Sequence, residues 1–299
     1  MGAGVEGTVS RVEISRPDKI LWPEPGISKQ EYADYLDAVG DLMLPWVRER
    51  PLTLVRAPDG VEGQRYFQKD TPAYAPDWIR TVTIPAPSAK RDVHYVVCND
   101  RDTLRWLGNQ AALEFHLAPV RRDRLDRPDL LVVDIDPPDD AFYAAVEVAL
   151  LVLETLHDLG VSPMVKTTGG KGLHVVVPVE RRVPPEEFRR AASALTALVA
   201  ERRPDLITDE FRKAKRAGRV MLDPSRNGTG ATVVAPYSPR ANANATVSFP
   251  VDPAALRTLT PADFTMRTVP GLLDSAGALA WKAAASERPQ RLPAKLRQP

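Results

Sequence analysis

DLLVVDIDPPDD, residues 129–140, runs from an apolar stretch into two carboxylates two residues apart, and then into two prolines. Side chains at i and i+2 of a strand project from the same face. Asp134 and Asp136 therefore stand side by side while Ile135 points the other way. Neighbouring carboxylates repel unless a cation lies between them, and oxygen donors suit hard ions such as magnesium or manganese. Pro137 and Pro138 turn the chain away from the sheet. On this segment alone two readings stay open: a metal site, or a strand-end pair that is solvated or caps the next helix.

The surroundings alternate between strand and helix. LLVVDID reads as a buried strand and residues 141–159 as an apolar helix ended by Gly160. PMVKT, LHVVVPV and RVMLD read as strands, and PPEEFRRAASALTALVAERR as a helix opened by prolines. VVAPYS and ATVSFP add further strand candidates. Nearer the front, residues 27–48 read as a helix capped by Ser28, with Glu31 three residues on. Its buried stripe is Tyr32, Tyr35, Leu36, Val39 and Leu42. PLTLVRAP, TVTIPAP and DVHYVVCN are strand candidates, and residues 102–118, DTLRWLGNQAALEFHLA, read as one helix running past His116. This alternation predicts an α/β or α+β core, with its front and rear halves joined near residues 119–130. Residues 1–10 read as a flexible leader, and residues 281–299 as a basic tail, in part disordered.

Bulk properties exclude several classes. The chain has 299 residues, is 43% hydrophobic and 26% charged, and carries a net charge of +1. A nucleic-acid partner would therefore have to be met by local basic patches. A single cysteine, Cys98, allows neither an intrachain disulfide nor a thiolate metal cluster. No signal-peptide core or membrane span is legible, which predicts a cytoplasmic protein with no membrane partner.

Two later segments bear on the carboxylates. KTTGGKGLHVVVP, residues 166–178, combines Thr167 and Thr168 with flexible glycines, Lys171 and His174. Glycines let backbone N–H groups approach an anion, and the lysine adds charge. The GxxxxGK[ST] phosphate loop is absent. A glycine-rich hairpin and a hydrogen-bonded core histidine remain the plain alternatives. In KAKRAGRVMLDPSRNGTG, residues 213–230, Asp223 ends another short apolar strand, and Lys213, Lys215, Arg216 and Arg219 precede it. Three acidic strand ends around a metal pair, with basic groups to neutralise phosphates, are what two-metal phosphoryl transfer requires.

In that order, DIDP, TTGGKGLH and RVMLDPSRN resemble the polymerase domain of the bacterial end-joining ATP-dependent DNA ligases, a branch of the archaeo-eukaryotic primase superfamily. PDGVEGQRYFQKD (58–70), WLGNQAALEFH (106–116) and TVVAPYSPRANANATVSFP (232–250) support it, and the resemblance runs from about residue 11 to 275. It implies an α+β, primase-like catalytic core over residues 11–280, with mixed or antiparallel sheets flanked by helices. The front part, 11–128, would carry a DNA 5′-phosphate site, and the rear part, 129–280, the metal-site motifs.

The same resemblance implies the site. Asp134, Asp136 and Asp223 match the catalytic ligands of two divalent ions, manganese or magnesium. Thr168, Lys171, His174 and Arg240 match contacts to the triphosphate of an NTP or dNTP. Arg216 and Asn227 resemble nucleotide-contacting positions, His116 matches a histidine near the sugar, and Arg56 is a further nucleotide-site candidate. Lys19 and Lys29 resemble a clamp on a downstream 5′-phosphate. Phe67 resembles an aromatic that packs on template bases, with Tyr66 or a core role for Phe67 as alternatives. Departures are Thr168 for the usual serine, Gly170 for a small polar residue, Asp70 where histidine is common, and the Asn-rich RANANATVSFP.

The implied activity is template-dependent addition of nucleotides, ribonucleotides preferred, to 3′-hydroxyl ends during gap filling and non-homologous end joining. Implied partners are DNA with a gap, overhang or broken end bearing a 5′-phosphate, a separate DNA ligase and an end-bridging DNA-binding protein, which suggests a nucleoid location. The nearest rival is a primer-independent primase; no zinc-binding accessory cluster is legible. A non-catalytic DNA-end binder would not need three metal carboxylates, and a small-molecule nucleotidyltransferase would not need the phosphate clamp.

Overall fold

The computed structural model describes residues 10–86 and 90–297, so nearly all of the expected leader lies outside the described residues. In chain order the elements are β1 (Ile20–Trp22), β2 (Ile27–Ser28), α1 (Lys29–Val47), β3 (Leu52–Arg56), β4 (Tyr66–Gln68), β5 (Thr81–Ala86), β6 (Arg91–Val96), α2 (Arg101–Asn109), β7 (Ala112–Leu117), β8 (Leu130–Asp136), α3 (Phe142–Asp158), β9 (Met164–Thr167), β10 (Leu173–Pro178), α4 (Pro185–Arg202), β11 (Ile207–Thr208), β12 (Val220–Asp223), β13 (Val233–Val234), β14 (Pro250–Val251) and α5 (Ala276–Ala284).

Two larger sheets organise these elements. A six-stranded sheet has the order β11-β12-β8-β10-β9-β14, and a four-stranded sheet the order β13-β7-β3-β4. Among the pairings between these strands only β11–β12 is parallel. The fold is α+β with largely antiparallel sheets. β8 is central because it is apolar on both faces: Leu130–Val133 and Ile135 are buried, and α3 and α4 pack against it. α1 begins at a capping box in which the Ser28 side chain accepts from the Glu31 N–H and the Glu31 side chain accepts from the Ser28 N–H.

The front and rear halves share one core. Trp46 of α1 meets Trp281 of α5 at 4.8 Å between ring centroids. Trp22 Nε1 donates to Arg240 O at 3.2 Å, and Tyr35 Oη to Tyr237 O at 2.7 Å. At the join, the buried Arg50 guanidinium grips Asp129 with two hydrogen bonds of 2.5 and 2.8 Å. Cys98 is fully buried, and burial pushes its thiol up.

Two expectations need correction. Residues 102–118 are not one helix: α2 stops at Asn109, Ala111 takes a left-handed conformation (φ +53), and β7 follows. Pairing with β3 and β13 overrides the helix propensity of Ala, Leu and Glu there. The described part of the tail, 281–297, is packed rather than loose. Gln290 exchanges hydrogen bonds with Pro178, Glu180 and Ser162, and Leu292 and Leu296 are buried.

Candidate active site

Strand register builds the site. Asp223 of β12 sits opposite Asp134 of β8, Asp134 opposite His174 of β10, and His174 opposite Lys166 of β9. Directly paired residues share a face of the sheet, so these four side chains form one row across four strands. Asp136, two residues on, stands beside Asp134 at the strand end. Gly172 lets the 168–172 loop close over β8, since a Cβ there would lie 2.3 Å from Ile135 O. Gly169 (φ +67) lies against the backbone of Val247 and Ser248 and could carry no side chain either.

The carboxylates are met by cations. Arg226 Nε is 3.0 Å from Asp134 Oδ2 and 3.6 Å from Asp223 Oδ2, so one guanidinium bridges the pair. Arg216 Nη1 donates to Asp136 Oδ2 at 2.8 Å, and Lys171 Nζ lies 3.9 Å from Asp136 Oδ1. Burial would raise the Asp134 carboxyl, but His174 and Arg226 beside it outweigh this and hold it down to about 2. Burial, then the charge of Lys166, lowers His174 to about 4. The imidazole is therefore neutral near pH 7 and acts on Asp134, 3.3 Å away, as a hydrogen-bond donor. Its Nδ1 has no partner among the described residues.

As the side chains stand, no three His, Cys, Asp or Glu among the described residues are closed to metal distance. The donor set nonetheless fits hard divalent ions: three aspartates at adjacent strand ends, with Asp134 ionised and arginine charge between them.

The cleft over this row has a volume of about 680 Å³. Its lining includes Asp134, Asp136, Asp223, Thr168, Lys171, His174, Arg216 and Arg240, together with Phe67 and His116 from the four-stranded sheet. The Thr168 hydroxyl donates to Gly172 O at 3.1 Å and accepts from the N–H groups of Gly170 and Gly172, so it closes its own loop. Arg240 Nη1 donates to Thr168 O at 3.0 Å, and Arg240 Nε faces Glu114 at 3.2 Å. Glu114 also accepts from His116 Nε2 at 2.8 Å and from Ala241 N at 2.9 Å. Phe67 is 72% exposed, which leaves it no core role, and it lies edge-on to His116 at 6.2 Å.

Two expected nucleotide contacts lie elsewhere. Asn227 is fully buried beneath the site: its amide donates to Val132 O and Pro224 O and accepts from Val132 N, locking the turn after Asp223 to β8. Arg56 donates to Gln110 O, Gln68 and Tyr74 and lines a second cavity. That cavity, about 480 Å³, also contains Arg16, Lys19 and Lys29. Lys29 Nζ donates to Ser15 O and Oγ at 2.8 and 3.0 Å, and Lys19 Nζ to Asp59 at 2.9 Å. Burial, then the charges of Lys19 and Arg16, lowers Lys29, so an anion here would relieve the repulsion.

Sequence reasoning missed three residues. Arg226 is signalled only by standing three residues after Asp223, and Glu114 by standing two before His116 on a strand. Buried Lys166 donates to Ser248 Oγ at 2.6 Å and to Thr167 O at 3.3 Å, tying the glycine-rich loop to the segment that carries Arg240. Asp70, a departure from the family pattern, pairs with Arg91 and accepts from His94 N at 2.8 Å, anchoring the β5–β6 hairpin.

Comparison with known proteins identifies the family. Residues 28–280 match the family model for the LigD primase-polymerase domain. The bifunctional non-homologous end joining protein LigD of Bacillus subtilis is 33% identical over 266 residues, covering 87% of this chain and 42% of that protein. The multifunctional LigD of Pseudomonas aeruginosa is 34% identical over 291 residues, 96% of this chain and 34% of that protein. The chain thus spans less than half the length of these relatives. The solved polymerase domain of Mycobacterium tuberculosis ligase D in complex with DNA superposes with a TM-score of 0.85 at 29% identity, covering 93% of this chain and all of that one. The chain belongs to the LigD primase-polymerase domain family, a family of nucleotidyltransferases.

Proposed function

We propose that this chain extends 3′-hydroxyl ends of DNA in a template-directed manner, at gaps and broken ends that carry a downstream 5′-phosphate. The observation that carries this reading is the in-register row of Asp223, Asp134 and His174, with Asp136 beside it, at the floor of a cleft rimmed by Lys171 and Arg240. Asp134, Asp136 and Asp223 would hold divalent manganese or magnesium ions, which supply positive charge at the attacking and leaving oxygens. Lys171 and Arg240 neutralise the triphosphate, whose negative charge would favour a second proton on His174 and let its unpartnered Nδ1 donate to it. The Thr168 hydroxyl keeps the glycine-rich loop in shape for that contact. Glu114 fixes the His116 ring, which in this reading meets the nucleotide's sugar and underlies a preference for ribonucleotides.

Phe67 offers a sequence-tolerant platform for template bases. Lys19 and Lys29 seat the 5′-phosphate, with Arg16 and Arg56 lining the same cavity. A DNA ligase and an end-bridging DNA-binding protein are the partners this reaction calls for, at the nucleoid. No described helix is long and apolar enough to cross a membrane.

The test is primer extension across a short gap with manganese, comparing 5′-phosphate with 5′-hydroxyl and NTP with dNTP. Extension stimulated by the phosphate, with NTP favoured, is expected. Synthesis on unprimed single strands with no gap extension would instead identify a primase.

A further inference from the structure

Phe211 is a large apolar side chain left 72% exposed, as open as Phe67. Both line the catalytic cleft. Phe67 comes from β4 of the four-stranded sheet, and Phe211 from the β11–β12 connection of the six-stranded sheet. Each sheet therefore supplies the cleft with one exposed aromatic ring. Phe211 is also held in place: Arg216 donates from Nη2 to Phe211 O at 3.1 Å and from Nε to Glu210 O at 3.0 Å, while its Nη1 reaches Asp136. The ring thus projects from backbone anchored to the carboxylate site. Arg212, Lys213 and Lys215, which follow it, are all exposed. An exposed ring beside exposed cations is the combination that binds single-stranded nucleic acid, the cations tracking phosphates and the ring stacking on a base.

The sheet order indicates which strand. The groups proposed to meet the triphosphate come from the β9–β10 loop and β10, on one flank of β8, and from Arg240, which bonds to that loop at Thr168 O. Phe211 comes from the opposite flank, next to β12. In-line displacement places the attacking oxygen and the leaving group on opposite sides of the reacting phosphorus. The attacking strand therefore enters from the β12 flank.

We propose that Phe211 stacks on a nucleobase at the 3′ end of the strand being extended, with Arg212, Lys213 and Lys215 holding that strand's backbone. This rests on the polymerase reading above and adds a primer-end subsite to it. Stacking tolerates any base, so the contact would serve short or mismatched ends that base pairing holds poorly.

The experiment measures gap extension by the unaltered protein, Phe211→Ala and Phe211→Trp, with KM determined separately for primer ends and for nucleotide. A second readout is the fluorescence of 2-aminopurine at the primer's 3′ terminus. Phe211→Ala should raise KM for the primer roughly tenfold, leave KM for the nucleotide unchanged and abolish the fluorescence quenching seen with the unaltered protein. Phe211→Trp should restore both. Equal primer KM and equal quenching in the alanine variant would overturn the subsite, as would a rise confined to the nucleotide KM, which would put the ring on the incoming base. Failure of the unaltered protein to extend any primer would instead overturn the polymerase reading.

Discussion

Replacing Glu114 by glutamine probes how the cleft wall is held. Burial would raise this carboxyl from its ordinary 4.5, yet the hydrogen bond from His116, the charge of Arg240 and the Ala241 N–H bring it down to about 2. A depression of that size corresponds to about 3 kcal/mol of native-state stabilisation. Because the folded value lies below the unfolded one, the contribution is complete above pH 4.5 and fades as pH falls toward 2. Glu114→Gln retains the acceptor for Ala241 but leaves His116 and Arg240 without an anion. It should therefore lower stability by about 2 kcal/mol at pH 7. The assay is urea unfolding of both proteins at pH 7, 5, 4 and 3. The difference between them should shrink steadily below pH 4.5. A difference as large at pH 3 as at pH 7 would refute the assignment of the stabilisation to the Glu114 charge. Nucleotide KM should rise in the variant at pH 7, since Arg240 and His116 both lose their anchor.

Further outcomes follow from other contacts. Asn227→Ala strands the Val132 N–H and C=O and should cost about 2 kcal/mol, read as a lower urea midpoint, together with reduced extension. Asp129→Asn leaves Arg50 buried without its carboxylate and should cost roughly 3–5 kcal/mol in the same assay while leaving the Asp134 row untouched. Replacing Lys19 and Lys29 together by alanine should erase the preference for a 5′-phosphate over a 5′-hydroxyl; an unchanged ratio of extension rates would remove the clamp assignment.

Much of the site was legible because its geometry is local. Asp134 and Asp136 on one strand, and Asp223 and His174 at or near strand ends, need only period-two alternation and a pairing register to converge. Strand spacing suggested a metal site and basic groups for phosphates, while the assignment of each residue to a particular metal or phosphate contact rested on resemblance. Arg56 and Asn227 lie apart from the cleft that gathers the other nucleotide-site candidates, because a motif position does not say where its side chain points: Arg56 lines the cavity of Lys19 and Lys29, and Asn227 turns inward onto β8. The break between α2 and β7 was hidden because AALEFHLA satisfies helix and strand patterns alike, and only pairing with β3 decides. Arg226 and Glu114 were overlooked because a lone charge near a motif looks like any solvated side chain until its partner is seen.

In the proposed function Asp134 and Asp136 hold the metal ions of a nucleotidyl-transfer site. The most direct measurement is single-turnover primer extension by Asp134→Asn and Asp136→Asn beside the unaltered protein, with affinity for the same gapped DNA measured by fluorescence anisotropy. Extension should be abolished in both variants while DNA affinity stays largely intact; the metal assignment requires both. Extension at the unaltered rate in either variant would contradict it.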